Sequence, residues 1–301
     1  MIRLKSIRGF LSEYKAKNKS RIEDYRFRIH LFRKSPPAML GLVIVLGFLI
    51  IAAIAPLVAP YPAIYTDIPN KLLPPSPGHF FGTDDLGRDV FSRILHGSRI
   101  TLQIGIIVIS IAYAIGLTLG SVSGYYGGRL DELIMRFTDV MLGFPSILLA
   151  MAITAALGSG LFNMMLALSF GWWPWCCRVV RSQVMSLRKA PFIEAARAVG
   201  ATDRRIILFH ILPNSLGPIL VQATVDFGWT VLVAASLGFL GIGAQPPAPE
   251  WGLMMGIGRI FFLTQPWLIV FPGLAIFAFV LGTNLLGDGL RDVLDPRLAR
   301  R

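Results

Sequence analysis

This chain has little charge. Asp, Glu, Lys and Arg make up 15% of its 301 residues, against roughly 25% in a typical soluble domain, which is too little to coat a water-facing surface. Disordered and collagen-like classes are excluded by the same composition. Cysteine is scarcer still. The only two, Cys176 and Cys177, are adjacent and cannot build a framework of crosslinks, which excludes a disulfide scaffold and says nothing about redox compartment. Signatures of chemistry are missing as well. No G-x-x-x-x-G-K-[ST] loop is present to cradle nucleotide phosphates, no H-E-x-x-H metal pair, and no G-x-S-x-G nucleophile elbow. The four histidines, His30, His79, His96 and His210, fall without ligand spacing. The chain therefore reads as a conduit with no catalytic or metal site, and uphill transport would need energy from a partner.

What is present is long apolar runs, 54% of the chain being hydrophobic. A helix crosses the hydrocarbon core with ~20 apolar residues. Uncharged stretches run from Ser35 to Thr66, from Ile100 to Gly128, and for 38 residues from Val140 to Cys177. The last would be about 57 Å of helix at 1.5 Å per residue, nearly two bilayers, so it is divided at Gly158-Ser159-Gly160, where glycine permits a tight turn. With two further runs the pattern predicts an all-α integral membrane protein of six spans: 38–59, 100–124, 137–157, 161–181, 215–240 and 266–287. The first run follows 34 mostly polar residues and outlasts a signal h-region, so it is read as a span and not as a cleaved leader.

The formal net charge of +12, 29 basic against 17 acidic residues, invites a nucleic-acid reading until the charges are placed. With the amino terminus inside, 24 Lys/Arg fall on the inner segments (1–34, 125–136, 178–205 and the tail after 288) and five on the outer ones. The positive-inside rule then sets both termini in the cytoplasm. The basic surplus is a topology signal and a contact with anionic lipid headgroups, and no nucleic-acid partner is expected.

Within the spans, Gly116, Gly120 and Gly124 recur every four residues, a face that lets another backbone approach closely. Intramolecular packing is its plainest use. Trp172, Trp173 and Trp175, with Tyr125 and Tyr126 at another span's inner end, read as interface belt or core. Asp226 is the one charged residue that interrupts a predicted span away from its ends, with Gln222 one turn earlier. A carboxyl in lipid faces the bundle interior or water. Two readings stand for it, a pore-lining contact with a polar substrate and a hydrogen bond to a neighbouring helix. A single such group argues against a proton- or sodium-driven carrier.

The longest inner loop, 188–213, carries Phe192, Ala195, Ala196 and Val199 at i, i+3, i+4 and i+7, one face of a short helix. Small alanines between larger apolar residues suit a groove on another protein, and a helix resting on lipid headgroups is the plainer alternative. Gly200 can close the helix in a left-handed conformation. Thr202 and Asp203 are placed to cap a second helix, which Pro213 should disrupt before the next span.

Glu194-Ala195-Ala196, Gly200 and the closing Ile211-Leu212-Pro213 resemble the EAA loop of binding-protein-dependent ABC importer permeases. The family's long form usually has Ile three residues before the proline; here His210 stands there, as it often does in peptide-type members. Three more stretches resemble the C-type permease of dipeptide and oligopeptide importers: 81–90 (Phe81-Gly82-Thr83-Asp84-Asp85-Leu86-Gly87-Arg88-Asp89-Val90), 243–252 around Gln245-Pro246-Pro247 and Glu250-Trp251-Gly252, and Asn284 to Asp292 with Asp295-Pro296-Arg297. Together they cover the chain from about residue 35 to its end.

The resemblance implies a type I ABC importer permease fold in the bacterial or archaeal plasma membrane. A homologous second permease completes the pathway, two ABC ATPase subunits bind ATP and Mg, and an extracytoplasmic substrate-binding protein delivers the ligand. It implies that Glu194, Ala195, Ala196 and Gly200 dock an ATPase, with Arg197 on the rim. It makes Gln245, Pro246, Pro247, Glu250 and Trp251 candidates for a flap or binding-protein contact in the loop 243–265. Asp85 and Arg88, in the loop 60–99, are further candidates. On spacing, Asp85, Asp89 and Arg93 suit same-face charge pairs on a short helix, the proline run should be stiff and extended, and Trp251 should seat in the membrane interface. Dipeptide or oligopeptide cargo is implied, with nickel chelate, glutathione and oligosaccharide as alternatives. A membrane scaffold without transport is the alternative of another class.

Overall fold

Asp89 begins one of the two longest helices among the described residues. Its carboxylate accepts the backbone N–H of Ser92 at 2.7 Å, occupying one of the free donors at the helix start. In the computed structural model, which describes residue 27 and residues 29–294, this helix runs from Val90 to Tyr126. Most of the basic arm expected over 1–34, and the tail from 295, lie outside the described residues. The 37 residues make about 55 Å at 1.5 Å each, well beyond the ~30 Å hydrocarbon core. The helix thus starts ten residues before the span predicted at 100–124, because its first turns are buried under two loops.

In chain order the elements are α1 (Pro36–Val58), α2 (Val90–Tyr126), α3 (Gly128–Leu142), α4 (Ser146–Leu157), α5 (Leu161–Leu187), α6 (Pro191–Ala198), α7 (Asp203–Phe239), α8 (Trp251–Gly258) and α9 (Trp267–Leu294). No β-strand occurs among the described residues, only an isolated bridge between Thr83 and Asp89. Among the described residues, four helices, α1, α2, α7 and α9, are long and apolar enough to cross a bilayer, and the bent pair α3–α4 would make five. The run of α5 is diluted by Asn163, Ser169 and Pro174 and closes on Arg178 and Arg181, so it falls short of the same measure.

The glycine stripe seats α2 on α5. A Cβ at Gly116 would lie 2.6 Å from the Cys176 sulfur, one at Gly120 2.6 Å from the Cys177 carbonyl, and one at Gly124 2.8 Å from the Arg181 carbonyl. Intramolecular packing is what this face does. On its other sides α2 meets α1 and α7, while α9 packs on α1 and α7. The buried core forms three clusters: one near Tyr125, one around Trp251 and Phe279, and one between them around Met164 and Leu168.

Two local expectations fail. The predicted span 137–157 is not one rod: Gly143, Phe144 and Pro145 break it and α4 leaves α3 at 87°. Proline lacks the N–H that would continue the ladder and pushes its predecessor out of helical backbone. Conversely, Pro213 does not end a helix. Residues Ile207–Ile211 widen into a π-turn, which takes up the missing donor, and the helix runs on to Phe239. The break at Gly158-Ser159-Gly160 occurs as expected, with Gly158 at φ +91° and Gly160 at φ +154°.

Candidate functional site

Three regions hold the residues singled out in the sequence. At the Tyr126 end of α2 lies α6, opened by Pro191 in its first turn and closed by Gly200 at φ +84°. The Gly200 N–H donates to the Arg197 carbonyl at 2.9 Å and the Ala201 N–H to the Ala196 carbonyl at 3.0 Å, the paired bonds of a Schellman ending. The four predicted face residues do not share one fate. Ile193 and Ala196 are buried against Ile206, Ile211 and Val184. Phe192, Ala195 and Val199 face outward, Val199 at 85% exposure, with Glu194 and Gly200 beside them. The helix therefore has two apolar sides, one holding it to the chain and one uncovered.

This junction is tied to α2 through one phenol. Tyr125 donates its hydroxyl proton to Asp203 Oδ1 at 2.5 Å and accepts from Arg197 Nη2 at 3.3 Å, and the Arg197 guanidinium sits 5.5 Å over the Tyr125 ring. Arg197 is thus engaged by its own chain. Arg188 Nη1 adds bonds to the Gly124 and Tyr125 carbonyls at 3.1 and 3.0 Å. Thr202 does not cap the following helix with its side chain, and the Asp203 carboxylate beside it is held by Tyr125. Nearby, Arg181 grips Asp131 with two bonds of 2.6 Å, fixing α3 to α5.

Midway along the bundle, Asp226 on α7 is 5% exposed. Tyr113 on α2 donates to its Oδ2 at 2.7 Å and Gln222 Nε2 to its Oδ1 at 2.9 Å. Of the two readings of Asp226, the bond to a neighbouring helix is the one observed. The carboxyl is hydrogen-bonded to a neighbouring helix, and with Gln222 it also lines a cavity of about 320 Å³. Trp172 and Trp175 from α5, Trp229 from α7, and Ser146 at the α3–α4 bend line the same cavity. Trp173, by contrast, is core, stacked on Phe137 at 5.8 Å. Tyr113 and Trp229 were not singled out from sequence, since neither stands in a motif. Only the helix spacing from Asp226 to Trp229, i to i+3, hinted at a shared face.

At the Val90 end the two loops lock together. Arg88 Nε binds Asp84 at 2.6 Å and Arg88 reaches Asp85 at 3.5 Å. Arg93, 1% exposed, lies 3.6 Å from Asp84 and donates to the carbonyls of Ala63 (2.8 Å), Pro247 (3.4 Å) and Ala248 (3.3 Å). The expected Asp85–Asp89–Arg93 pairs do not form. The helix starts only at Val90, so Asp85 has no helical register with Asp89, and Asp89 spends its oxygens on Ser92 and His79. The proline run is not extended either. Pro246–Pro247 is cis, and the segment folds back with the Ala248 N–H on the Gln245 carbonyl at 3.1 Å. Trp251 sits in the core, not the membrane interface, 1% exposed with its indole N–H on the Ile94 carbonyl. Glu250, 2% exposed, accepts the N–H groups of Gly252 and Leu253 at 2.8 and 2.7 Å, capping α8, and burial pushes its carboxyl up to about 7. Arg88, Glu250 and Trp251 are therefore inside the fold, while Gln245, Pro246 and Pro247 are exposed. Among the described residues, no group of three or more His, Cys, Asp or Glu side chains could hold a metal ion.

Comparison with known proteins places these features in context. Residues 116–300 match the family described as binding-protein-dependent transport system inner membrane component, and residues 29–75 match the N-terminal transmembrane domain of oligopeptide transport permease C. The dipeptide transport system permease protein DppC of Alkalihalophilus pseudofirmus is 49% identical over 277 residues, 92% of this chain and 91% of that protein. The glutathione transport system permease protein GsiD of Escherichia coli O6:K15:H31 is 47% identical over 89% of this chain and 88% of its own length. Among solved structures, the inward-facing MetNI methionine ABC transporter (CY5 SeMet soak crystal form) aligns with a TM-score of 0.54 at 22% identity, covering 67% of this chain and 96% of that one. That likeness is one of fold.

Proposed function

The chain belongs to the family of binding-protein-dependent transport system inner membrane components, and from that membership we propose that it is one of two permease subunits of an ATP-driven importer of dipeptides. The substrate reading is supported by the relative that transports dipeptides, with 49% identity across nearly the whole length of both chains. Glutathione, itself a peptide, is the second reading, supported by the 47% identical relative.

In this reading the chain crosses a bacterial inner membrane six times, through α1, α2, the bent α3–α4 pair, α5, α7 and α9. Both termini are cytoplasmic, as the basic residues require. The chain has no catalytic role. ATP and Mg sit on two ABC ATPase subunits, a second homologous permease completes the pathway, and a substrate-binding protein feeds it from outside. Residues 188–213 form the coupling loop. The observation that carries the proposal is α6: Ile193 and Ala196 root it in the chain while Phe192, Ala195 and Val199 stay uncovered. A surface helix needs such a second apolar side only if something packs on it. Glu194, Ala195 and Gly200 are its docking residues, while Ala196, expected among them, faces the chain's own core. Closure of the ATPases would push α6, and Tyr125 would carry the push into α2, rocking the bundle between inward and outward access. Gln245, Pro246 and Pro247 are the outer candidates for contact with the binding protein.

Val199→Asp tests this directly. The side chain is 85% exposed, so insertion and stability should be unchanged within about 0.5 kcal/mol. Cellular uptake of radiolabelled alanyl-alanine should fall by at least about tenfold, the consequence of placing an unpaired charge in a docking groove. Normal uptake with normal insertion would remove α6 from the coupling path.

A further inference from the structure

The cavity beside Asp226 has a chemistry that helix packing does not require. Its lining contains one charged side chain, Asp226, and no Lys, Arg or His. The groups that hydrogen-bond the carboxylate, Tyr113 and Gln222 with Trp172 beside them, are neutral. A carboxylate within a membrane bundle ordinarily finds a cationic partner or water, and here none of the described residues supplies the positive charge. An ionised carboxylate accepts about four hydrogen bonds. Tyr113 and Gln222 make two and fix its orientation, the Trp172 side chain lends a third, and acceptor capacity remains. The walls are also particular. Three tryptophans line one cavity, and Trp175 and Trp229 stand 50% and 51% exposed. Indole presents the best aromatic face for a cation. A volume of about 320 Å³ falls within the range of small-molecule sites.

We propose that this cavity binds an ammonium group, the free amino terminus of the transported peptide, with Asp226 as counter-charge and Trp172, Trp175 and Trp229 as its walls. The proposal rests on the permease reading and adds the chemical group that the pathway recognises. Tyr113 and Gln222 are positioning residues: they aim the carboxylate from α2 and from one turn earlier on α7. Because Tyr113 belongs to α2 and Asp226 to α7, movement of α2 against α7 would break the bond that holds the carboxylate in place. The site would then be made and lost in step with the transport cycle.

The test is equilibrium binding of tritiated alanyl-alanine to the assembled importer in nanodiscs. The binding protein is left out, so that its own ligand choice does not enter. Unlabelled alanyl-alanine amide, which keeps the ammonium and lacks the carboxylate, should displace the label as well as alanyl-alanine does. N-acetyl-alanyl-alanine, which lacks the ammonium, should be at least about tenfold weaker. Asp226→Asn should weaken both ammonium probes by about tenfold or more and leave the acetylated one unchanged. Trp229→Phe should weaken them about threefold. Displacement by the acetylated probe equal to that by the free peptide, or wild-type binding in Asp226→Asn, overturns the proposal. If Asp226→Asn fails to assemble, Trp229→Phe carries the same comparison, since it leaves the carboxylate's hydrogen bonds in place. Uptake by cells separates this claim from the one beneath it. If the wild-type importer gives no ATP-dependent uptake of alanyl-alanine, the dipeptide-permease reading fails. If uptake is normal with an unchanged KM in both wild type and Asp226→Asn, only the ammonium site fails.

Discussion

The two ends of α2 are held in opposite ways. At the Val90 end the helix is clamped. Asp89 caps it, Arg93 donates to carbonyls in both the preceding loop and the 243–250 segment, and Trp251 bonds the Ile94 carbonyl while packing edge-on against Phe48 at 5.7 Å. At the Tyr126 end the polar link to α6 and α7 runs through one tyrosine hydroxyl, shared between Asp203 and Arg197, both of them exposed, while Arg188 holds the Gly124 and Tyr125 carbonyls. A network of buried bonds resists relative motion more than a link through two exposed side chains does. If α6 is where force enters, the difference gives α2 the form of a lever, with its fixed point among the loops and its free end beside the coupling helix.

The comparison is broken most directly at Arg93. Truncation to Leu leaves Asp84 with a reduced counter-charge and three loop carbonyls without a donor, in a site where the arginine is 1% exposed. Removing one partner of a buried charge network costs about 3–5 kcal/mol. Arg93→Leu should therefore lower stability in detergent by that order and reduce the amount of inserted protein. A thermal unfolding curve indistinguishable from wild type would mean that the clamp is not holding the helix.

Glu250 sharpens the same end with pH. Its folded-state carboxyl lies at about 7, above an ordinary value of 4.5, because burial disfavours the charged form more than the Gly252 and Leu253 N–H groups favour it. A group raised in the folded state contributes stability that is fully present below the unfolded value and is lost as pH rises through the folded one. Stability should thus be highest below about pH 4.5 as far as this group is concerned, and should fall by on the order of 3 kcal/mol as pH rises from there to about 7. Glu250→Gln, which keeps a carbonyl oxygen to accept one helix-start N–H, should flatten that dependence. Denaturation profiles at pH 5 and pH 8 that differ equally in wild type and variant would assign the effect to other groups.

What was legible in the sequence divides along a similar line. Signals written within a few residues were read correctly: the glycine turn at 158–160, the left-handed stop at Gly200, the glycine stripe that seats α2 on α5, and the family motifs. Signals that depend on distant partners were not. The Asp89 cap is the one local sign that α2 begins at Val90; its first turns are otherwise held by Arg93 on carbonyls from residues 63, 247 and 248. The bend at Pro145 was hidden inside an uncharged run, where composition is uniform and only the proline speaks. Trp251 looked like an interface anchor because indole suits both interface and core, and its partner, the Ile94 carbonyl, is 157 residues away. At the Asp226 site the carboxyl was visible from its isolation in an apolar run. Tyr113 and the opposing tryptophans were not, since they come from three different helices.

The smallest expected change in stability falls at the free end, where it does the most for the comparison. Tyr125→Phe keeps the ring, so the Arg197 guanidinium still has an aromatic face at its observed 5.5 Å. It removes the hydroxyl that joins Asp203 to Arg197. A hydrogen bond to a charged group contributes about 1.5–3 kcal/mol when buried, and with both charged partners exposed the net loss should be nearer to about 1 kcal/mol. Asp203 can then turn to solvent, and α6 keeps its own anchors, Ile193 and Ala196. A lever predicts a mismatch between the two readouts: stability hardly moves, while uptake of alanyl-alanine falls by about tenfold because the push on α6 no longer reaches α2. The opposite pattern, uptake declining only as far as the amount of folded protein declines, would make Tyr125 an ordinary packing contact. The difference between the two ends of α2 would then describe how the helix is held and carry no information about how it moves.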